Sequence, residues 1–163
     1  MSKFDIIQSK IFSNKESLEF NQKLAFWNFK NKKIVFTNGC FDVLHVGHIK
    51  YLAKAADLGS ILIVGVNTDN SVKRLKGESR PINNQDARST VLAALSFVDA
   101  IVFFEEDTPY NLIKLVQPDI LVKGSDYKPE DIVGYDIVKN KGGDIITIDF
   151  VEGYSSSNII SKM

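Results

Sequence analysis

The sequence has a single cysteine and no long apolar run, and each absence excludes a class of protein. Cys40 is the only cysteine among the 163 residues, so an intrachain disulfide is excluded and a reducing compartment is indicated. No apolar run reaches the roughly 18 residues of a membrane-spanning helix. Residues 1–10 lack the apolar stretch of a secretory signal. We therefore expect a soluble, cytoplasmic protein.

Neither sign of charge is in excess. The 20 basic residues balance the 20 acidic ones, which disfavours a general binder of nucleic acid or of anionic membranes. With 44% hydrophobic and 25% charged residues, the composition is ordinary for a globular domain. We expect one folded domain that binds neither nucleic acid nor membrane.

Residues 1–31 differ from the rest of the chain. Apolar residues recur there at near-helical spacing and predict one amphipathic helix, at about 15–30, behind a loose N-terminal arm. This helix either packs on the main domain, 32–163, or contacts a second copy of the chain. The expected oligomer is a homodimer.

Short continuous apolar runs alternate with helical patterns along residues 32–163. The predicted strands are 34–36, 61–64, 100–104, 119–122 and 145–150. The predicted helices are 47–58, 69–75, 85–97, 108–116, 129–140 and 155–163. This alternation predicts an α/β fold, a doubly wound, open parallel sheet of about five strands with a Rossmann-like order. Such sheets bind ligands beyond the carboxyl ends of their strands.

Both histidines of the chain follow the first predicted strand. His45 and His48 are three residues apart at the start of a helix, a spacing that places both rings on one face. Gly47 between them lets a ligand approach the backbone, and the N-terminus of a helix favours anions. The tip of the preceding strand adds polar and small residues, Thr37, Asn38 and Gly39. The segment therefore predicts a phosphate-binding site.

Two other interpretations of this segment remain open. The histidines could be a helix cap and a surface residue. Alternatively, Cys40, Asp42, His45 and His48 could form a zinc site, since zinc prefers such ligands. The glycine-rich fingerprints of dinucleotide-binding proteins and of P-loop NTPases are both missing.

Several further segments match one known family. They are 36–48, 74–77 with 80–83, 106–109, 121–124 with 126–129, and 150–155. Together they resemble the nucleotidyltransferase superfamily of cytidylyltransferases and adenylyltransferases, and within it the heptose 1-phosphate adenylyltransferases. The resemblance covers about 32–162. It departs from the family pattern at Ser125, where a glycine is frequent, and at 155–157, where Ser-Thr-Thr is frequent.

The resemblance implies transfer of AMP from ATP to D-glycero-β-D-manno-heptose 1-phosphate, which gives ADP-heptose and pyrophosphate for lipopolysaccharide core synthesis. It also implies Mg²⁺ as cofactor and a separate heptose 7-phosphate kinase. Two alternatives stay open, a cytidylyltransferase of an alcohol phosphate such as glycerol 3-phosphate and a non-catalytic nucleotide-binding protein.

The implied catalytic residues are His45, His48 and Lys76. Asp42 is expected near Mg²⁺, and Arg88 is expected to contact the nucleotide phosphates. The full set of implied nucleotide-binding residues is Thr37, Asn38, Gly39, Phe41, Asp42, Gly47, Arg88, Lys123, Gly124, Asp126, Ser155, Ser156 and Ser157.

Overall fold

The structure, a computed structural model, describes residues 1–163 as a parallel sheet covered by helices. The strands are β1 (Ile11–Phe12), β2 (Ile34–Gly39), β3 (Ile61–Asn67), β4 (Ala100–Phe104), β5 (Ile120–Gly124) and β6 (Asp144–Ile148). The helices are α1 (Lys3–Gln8), α2 (Leu18–Phe29), α3 (Val46–Ala56), α4 (Asp69–Lys76), α5 (Gln85–Ala93), α6 (Tyr110–Val116), α7 (Tyr135–Lys141) and α8 (Ser156–Ile160). A short 3₁₀ helix covers Pro129–Asp131.

The strand order is β1-β4-β3-β2-β5-β6, and every pair is parallel. The predicted α/β class and doubly wound sheet are confirmed. From β2 the chain adds β3 and β4 on one side and β5 and β6 on the other, so the strand order reverses between β2 and β5. Ligands bind at such a reversal, beyond the carboxyl ends of the two strands.

The continuous apolar runs are strands that are buried on both faces. All seven residues of β3 and all five of β4 are buried. Alternate residues enter different clusters, since Ile34 and Phe36 of β2 belong to one core cluster and Val35 to the other. The sheet therefore separates two apolar layers, as expected for a sheet that is covered by helices on both faces.

The sheet has six strands rather than the expected five, and the additional strand lies within the predicted N-terminal arm. Ile11 and Phe12 of β1 pair with β4 at the sheet edge, and Phe12 is buried. The α2 helix, predicted at 15–30, buries Phe20 and Leu24 in the same core. The segment before α2 is therefore not a loose arm, because β1 completes one edge of the sheet, while α2 completes one apolar layer.

The helix predicted at 129–140 is interrupted. The 3₁₀ turn at Pro129–Asp131 is separated from α7 by Gly134, whose φ is +92°. A Cβ at Gly134 would meet the Ile113 side chain at 2.8 Å, so the chain passes close to α6 at a point where only glycine fits easily. No helix in the structure is both long enough and apolar enough to cross a bilayer.

Candidate active site

A cavity of about 550 Å³ opens at the carboxyl ends of β2 and β5, where the strand order reverses. Its walls come from the end of β2, the start of α3, the loop after β5 and the segment before and within α8. The lining residues are Asn38, Gly39, Cys40, Phe41, Asp42, His45, Gly47, His48, Tyr51, Lys76, Lys123, Gly124, Asp126, Tyr127, Phe150, Val151, Tyr154, Ser155, Ser156 and Ser157.

His45 and His48 stack at the N-terminus of α3, and the backbone orients both rings. Their ring centroids are 3.8 Å apart. The Gly47 N–H donates to Nδ1 of His45 over 3.1 Å, and the His45 N–H donates to Nδ1 of His48 over 3.3 Å. The two histidines thus form the capping box of α3, a role that Ser or Thr and Glu or Gln usually fill.

These hydrogen bonds fix the tautomer of each ring. Because each Nδ1 accepts a hydrogen bond, each neutral imidazole carries its proton on Nε2. Both rings line the cavity, and their Nε2–H groups remain available to donate to a ligand. The free N–H groups and the positive dipole end of α3 add to this donor set. The arrangement is suited to binding phosphate oxygens.

The surroundings of the two rings favour the neutral form. Burial lowers the pKa of His45. Burial, the adjacent His45 and the positive charge of Lys76 lower the pKa of His48 to about 4.

Phe41 packs edge-on against His48 with ring centroids 5.3 Å apart. Its backbone φ of +48° is uncommon for a non-glycine residue, and such strain is frequent at functional sites.

Lys123 connects the two strands at which the order reverses. Its Nζ donates to Oδ1 of Asn38 over 3.1 Å and lies 5.5 Å from the centroid of the Tyr127 ring. Burial lowers the pKa of Lys123, and the nearby Asp126 carboxylate partly offsets this effect. Lys76, the last residue of α4, adds a second amine to the cavity wall. Two lysines and two imidazoles therefore line the cavity, a set of groups suited to an anionic ligand.

Asp42 is buried, and groups of the protein already occupy its carboxylate. Nε of Arg80 donates to Oδ2, while the backbone N–H groups of Ile82 and Asn83 donate to Oδ1 over 2.7 and 3.0 Å. Burial alone would raise the pKa of Asp42, but these hydrogen bonds together hold it below its ordinary value. Its oxygens anchor the loop that follows α4, although the resemblance implies a place near Mg²⁺.

Arg88 lies outside the cavity lining, which differs from its implied contact with nucleotide phosphates. Its side chain is fully buried. The guanidinium donates to four acceptors, the carbonyl oxygens of Cys40, Asn67 and Asn83 and the carboxylate of Asp69. Arg88 thus holds together the loops after β2 and β3 and the start of α5, and it supports the histidine segment from behind.

Comparison with known proteins assigns the chain to a family. The model of the family described as cytidylyltransferase-like matches residues 36–162. The chain belongs to this family. The match includes the last four residues of β2, all of β3 to β6 and every residue that lines the cavity. Membership confirms the resemblance drawn from the sequence and the nucleotidyltransferase class.

The curated relatives that this chain matches are longer proteins. The bifunctional protein HldE of Campylobacter concisus is 61% identical over 132 residues, which are 81% of this chain and 27% of that protein. The bifunctional protein HldE of Campylobacter jejuni is 54% identical over 162 residues, or 98% of this chain and 34% of that protein. The chain therefore spans about a third or less of the length of these relatives.

A solved structure has the same fold. The crystal structure of the lipopolysaccharide core biosynthesis protein from Thermoplasma volcanium superposes with a TM-score of 0.59 at 28% sequence identity. The alignment covers 76% of this chain and 99% of that chain. The fold assigned from the pattern of strands and helices is therefore also found in a relative of low sequence identity.

The geometry of the site does not support the zinc interpretation. No group of three or more His, Cys, Asp or Glu side chains is placed to hold a metal ion. Nδ1 of each histidine accepts a backbone hydrogen bond, and Asp42 is paired with Arg80. Sγ of Cys40 lies 3.7 Å from Oδ1 of Asn67. The four side chains thus have separate partners.

All implied site residues except Thr37 and Arg88 line the cavity. Thr37 is fully buried, and its hydroxyl lies 2.8 Å from the hydroxyl of Tyr51. Burial raises the pKa of Tyr51 to about 12, so Tyr51 presents a neutral hydroxyl on the cavity wall. The sequence offered a signal for Tyr51, because it follows His48 by three residues on the same helix face.

Aromatic residues of the C-terminal segment were not expected in the cavity wall. Phe150 and Tyr154 line the cavity with Val151, although both aromatic side chains are partly exposed. The Tyr154 ring is stacked 6.4 Å from the ring of His45. Their position depends on the path of the chain after β6, which no local pattern predicts.

Proposed function

We propose that this chain transfers AMP from ATP to D-glycero-β-D-manno-heptose 1-phosphate and releases pyrophosphate. The observation that carries the proposal is the pair of Nε2–H donors of His45 and His48 in a cavity with Lys76 and Lys123. Membership in the cytidylyltransferase-like family and the 61% identity to an HldE protein support it. The heptose substrate follows from the motifs that resemble heptose 1-phosphate adenylyltransferases.

In the proposed reaction a phosphate oxygen of the sugar 1-phosphate attacks the α-phosphorus of ATP. The new P–O bond forms as the bond between the α-phosphorus and the bridging oxygen breaks, and pyrophosphate leaves with that electron pair. A phosphate monoester is largely ionised near neutral pH, so no strong general base is needed. The protein must hold two mutually repelling anions in line and stabilise the charge that develops on the leaving group.

Different cavity residues hold the anions in line and stabilise the charge on the leaving group. We assign the Nε2–H groups of His45 and His48 to the α- and β-phosphates, where donors can act without carrying a full charge. Lys76 supplies a positive charge on the leaving side. Lys123, held by Asn38, is placed to contact either the nucleotide or the sugar phosphate. The remaining proposed nucleotide contacts are Gly39, Phe41, Gly47, Gly124, Asp126, Ser155, Ser156 and Ser157, all of which line the cavity.

We further propose that Mg²⁺ accompanies the nucleotide, bound mainly by its phosphates. Mg²⁺ prefers oxygen ligands and usually takes one or two carboxylates in addition to phosphates and water. Two carboxylates line the cavity, Asp42 and Asp126. Asp42 is occupied by Arg80 and the backbone, whereas Asp126 makes no ion pair in the chain. Asp126 therefore fits such an ion better than Asp42 does.

The proposed enzyme is a homodimer that acts in the cytoplasm. The single cysteine fits a reducing compartment. A kinase carried outside these 163 residues would supply the phosphorylated heptose, because the cavity is assigned to nucleotide transfer alone.

The decisive experiment incubates the protein with Mg²⁺, ATP or CTP, and a panel of sugar 1-phosphates and glycerol 3-phosphate. We expect pyrophosphate release with ATP and the heptose 1-phosphate, and a product with the mass of ADP-heptose. A CDP-alcohol product would instead establish the cytidylyltransferase, the activity after which the family is described. Nucleotide binding without product from any acceptor would establish a non-catalytic binding protein.

A further inference from the structure

The α2 helix has a second apolar side that no part of the chain covers. Leu18, Phe26 and Phe29 are 67%, 56% and 79% exposed, and exposed Ala25 lies among them. The exposed polar residue Gln22 lies between them. Positions 18, 25, 26 and 29 fall on one side of a helix at 100° per residue. We call these four residues the outer face of α2.

The inner side of the same helix already supplies its packing on the domain. Phe20 and Leu24 are buried in the core, and Trp27 packs against them. A surface helix normally carries polar residues opposite such a stripe. An additional apolar face with two exposed phenylalanines is more typical of a protein contact.

The charges at the two ends of the outer face are opposite, and the Ser17 hydroxyl donates to the Glu19 carboxylate over 2.9 Å. Glu19 lies in the first turn of α2, and Lys30 follows its last residue. Neither forms an ion pair in the structure. The Lys30 amine lies 5.8 and 5.9 Å from the ring centroids of Phe26 and Phe29. The apolar surface therefore has an acidic end and a basic end.

Such a surface is complementary to itself in one arrangement. If two copies of α2 pack antiparallel about a two-fold axis, Glu19 of each copy meets Lys30 of the other. Leu18 then lies against Phe29 of the second copy, and the small side chain of Ala25 near the axis allows close approach. The cavity lining contains no residue of α2, so both cavities stay open.

We propose that the outer face of α2 is a two-fold interface with a second copy of this chain. The proposal specifies the surface used by the homodimer of the proposed function. It is testable without reference to the reaction, because α2 lies outside the cavity.

The test measures the mass of the wild-type chain and of two charge-reversal variants by sedimentation over a range of concentrations. We expect a wild-type dimer, and a dissociation constant raised by at least about tenfold in Glu19→Lys and in Lys30→Glu, because each places like charges together twice. An equimolar mixture of the two variants should dimerise again, since both contacts are then between opposite charges. Restored dimerisation of the mixture is a result that a merely structural effect of either change would not produce.

Two further variants test the apolar contact. Phe29→Ser should weaken the dimer, whereas Val91→Ser, a change at a half-exposed residue of α5, should not. Circular dichroism melts and the nucleotidyl transfer rate check that each variant is folded. A wild-type chain that stays monomeric, a dimer indifferent to the α2 variants, or a mixture that does not recover would each overturn the proposal. Loss of the transfer activity with an intact dimer would instead count against the proposed function alone.

Discussion

A Cβ added at Gly47 would lie 2.9 Å from both Nδ1 and Cε1 of the His45 ring. The same glycine donates its backbone N–H to that Nδ1 over 3.1 Å. The ring can therefore cap α3 and stack on His48 only because position 47 has no side chain. Gly47 thus serves the orientation of a proposed catalytic residue as well as the approach of a ligand.

Gly47→Ala should separate stability from activity. Alanine is the better helix former by about 1 kcal/mol, which opposes the cost of the contact, so we expect a melting temperature close to that of the wild type. The displaced His45 ring should lower kcat by about 100-fold, since misplacement by about 1 Å has such an effect. Lys50→Ala, at an exposed position of α3, is the control and should leave kcat unchanged.

The two nitrogens of His48 have separate tasks, and two substitutions can distinguish them. His48→Asn keeps an acceptor near Nδ1 for the His45 N–H but removes the donor at Nε2. We expect a folded protein whose turnover is lower by at least about 100-fold, as for loss of a transition-state donor. His48→Gln places an amide donor near the Nε2 position and should recover part of kcat. Equal rates for wild type and His48→Asn in a pyrophosphate-release assay would remove His48 from the mechanism.

The low pKa of His48 predicts a specific dependence of stability on pH. An unfolded histidine binds its proton near pH 6.5, whereas the folded His48 does so near pH 4. Between these values the unfolded state binds more protons, so the free energy of unfolding falls as the pH is lowered from about 6.5 to about 4. Above about pH 6.5 His48 is neutral in both the folded and the unfolded state, so its protonation causes no loss of stability there. Histidine proton resonances should report a midpoint near 4 for His48, and His48→Asn should show a smaller loss of stability over this range.

Substitution of Arg88 should lower the free energy of unfolding more than it lowers the affinity for nucleotide. Its buried guanidinium serves three carbonyl oxygens and the Asp69 carboxylate, and removing one member of such a buried group costs about 3–5 kcal/mol. We expect Arg88→Ala to lower the free energy of unfolding by about this amount in urea titrations. Arg88→Lys should lose most of the same stability, because an ammonium cannot reach four acceptors in a planar fork. A variant with wild-type stability but weakened ATP binding would instead indicate that Arg88 contacts the nucleotide phosphates directly.

The sheet was predictable from local patterns, whereas most residues of the cavity wall were implied by the family resemblance. Continuous apolar runs such as 61–64 mark buried parallel strands, and the carboxyl ends of such strands meet at one edge. Residues at or beyond the carboxyl ends of β2 and β5, among them Lys123 and His45, could therefore be brought together without coordinates.

Features that depend on distant partners could not be predicted. The two residues of β1 are too few to show a period of two, and pairing with β4 gives them their strand conformation. The family resemblance singled out Asp42 and Arg88, but no local pattern shows that they are buried or which groups they contact. Their roles arise from Arg80 and Asn67, 38 and 21 positions away, and no local pattern contains that information.

The two carboxylates of the cavity should respond differently to magnesium. Asp42→Asn removes the charge that Arg80 pairs with, so we expect the free energy of unfolding to fall by about 3 kcal/mol. The Mg²⁺ concentration that gives half-maximal activity should stay unchanged in the surviving folded fraction. Asp126→Asn changes an exposed side chain without an ion-pair partner, and its stability should match that of the wild type.

In Asp126→Asn the half-maximal Mg²⁺ concentration should rise by at least about tenfold, since loss of a group that only hydrogen-bonds a metal ligand already lowers metal affinity by about that factor. Chelation of Mg²⁺ should stop transfer in the wild type and in both variants, because the ion offsets phosphate charge in each. Titration of Mg²⁺ at fixed ATP, with the fraction folded measured in parallel, separates the two positions. A raised Mg²⁺ requirement in Asp42→Asn alone would mean that this carboxylate leaves Arg80 when nucleotide binds, and the ion would then belong beside His45 rather than beside Lys123.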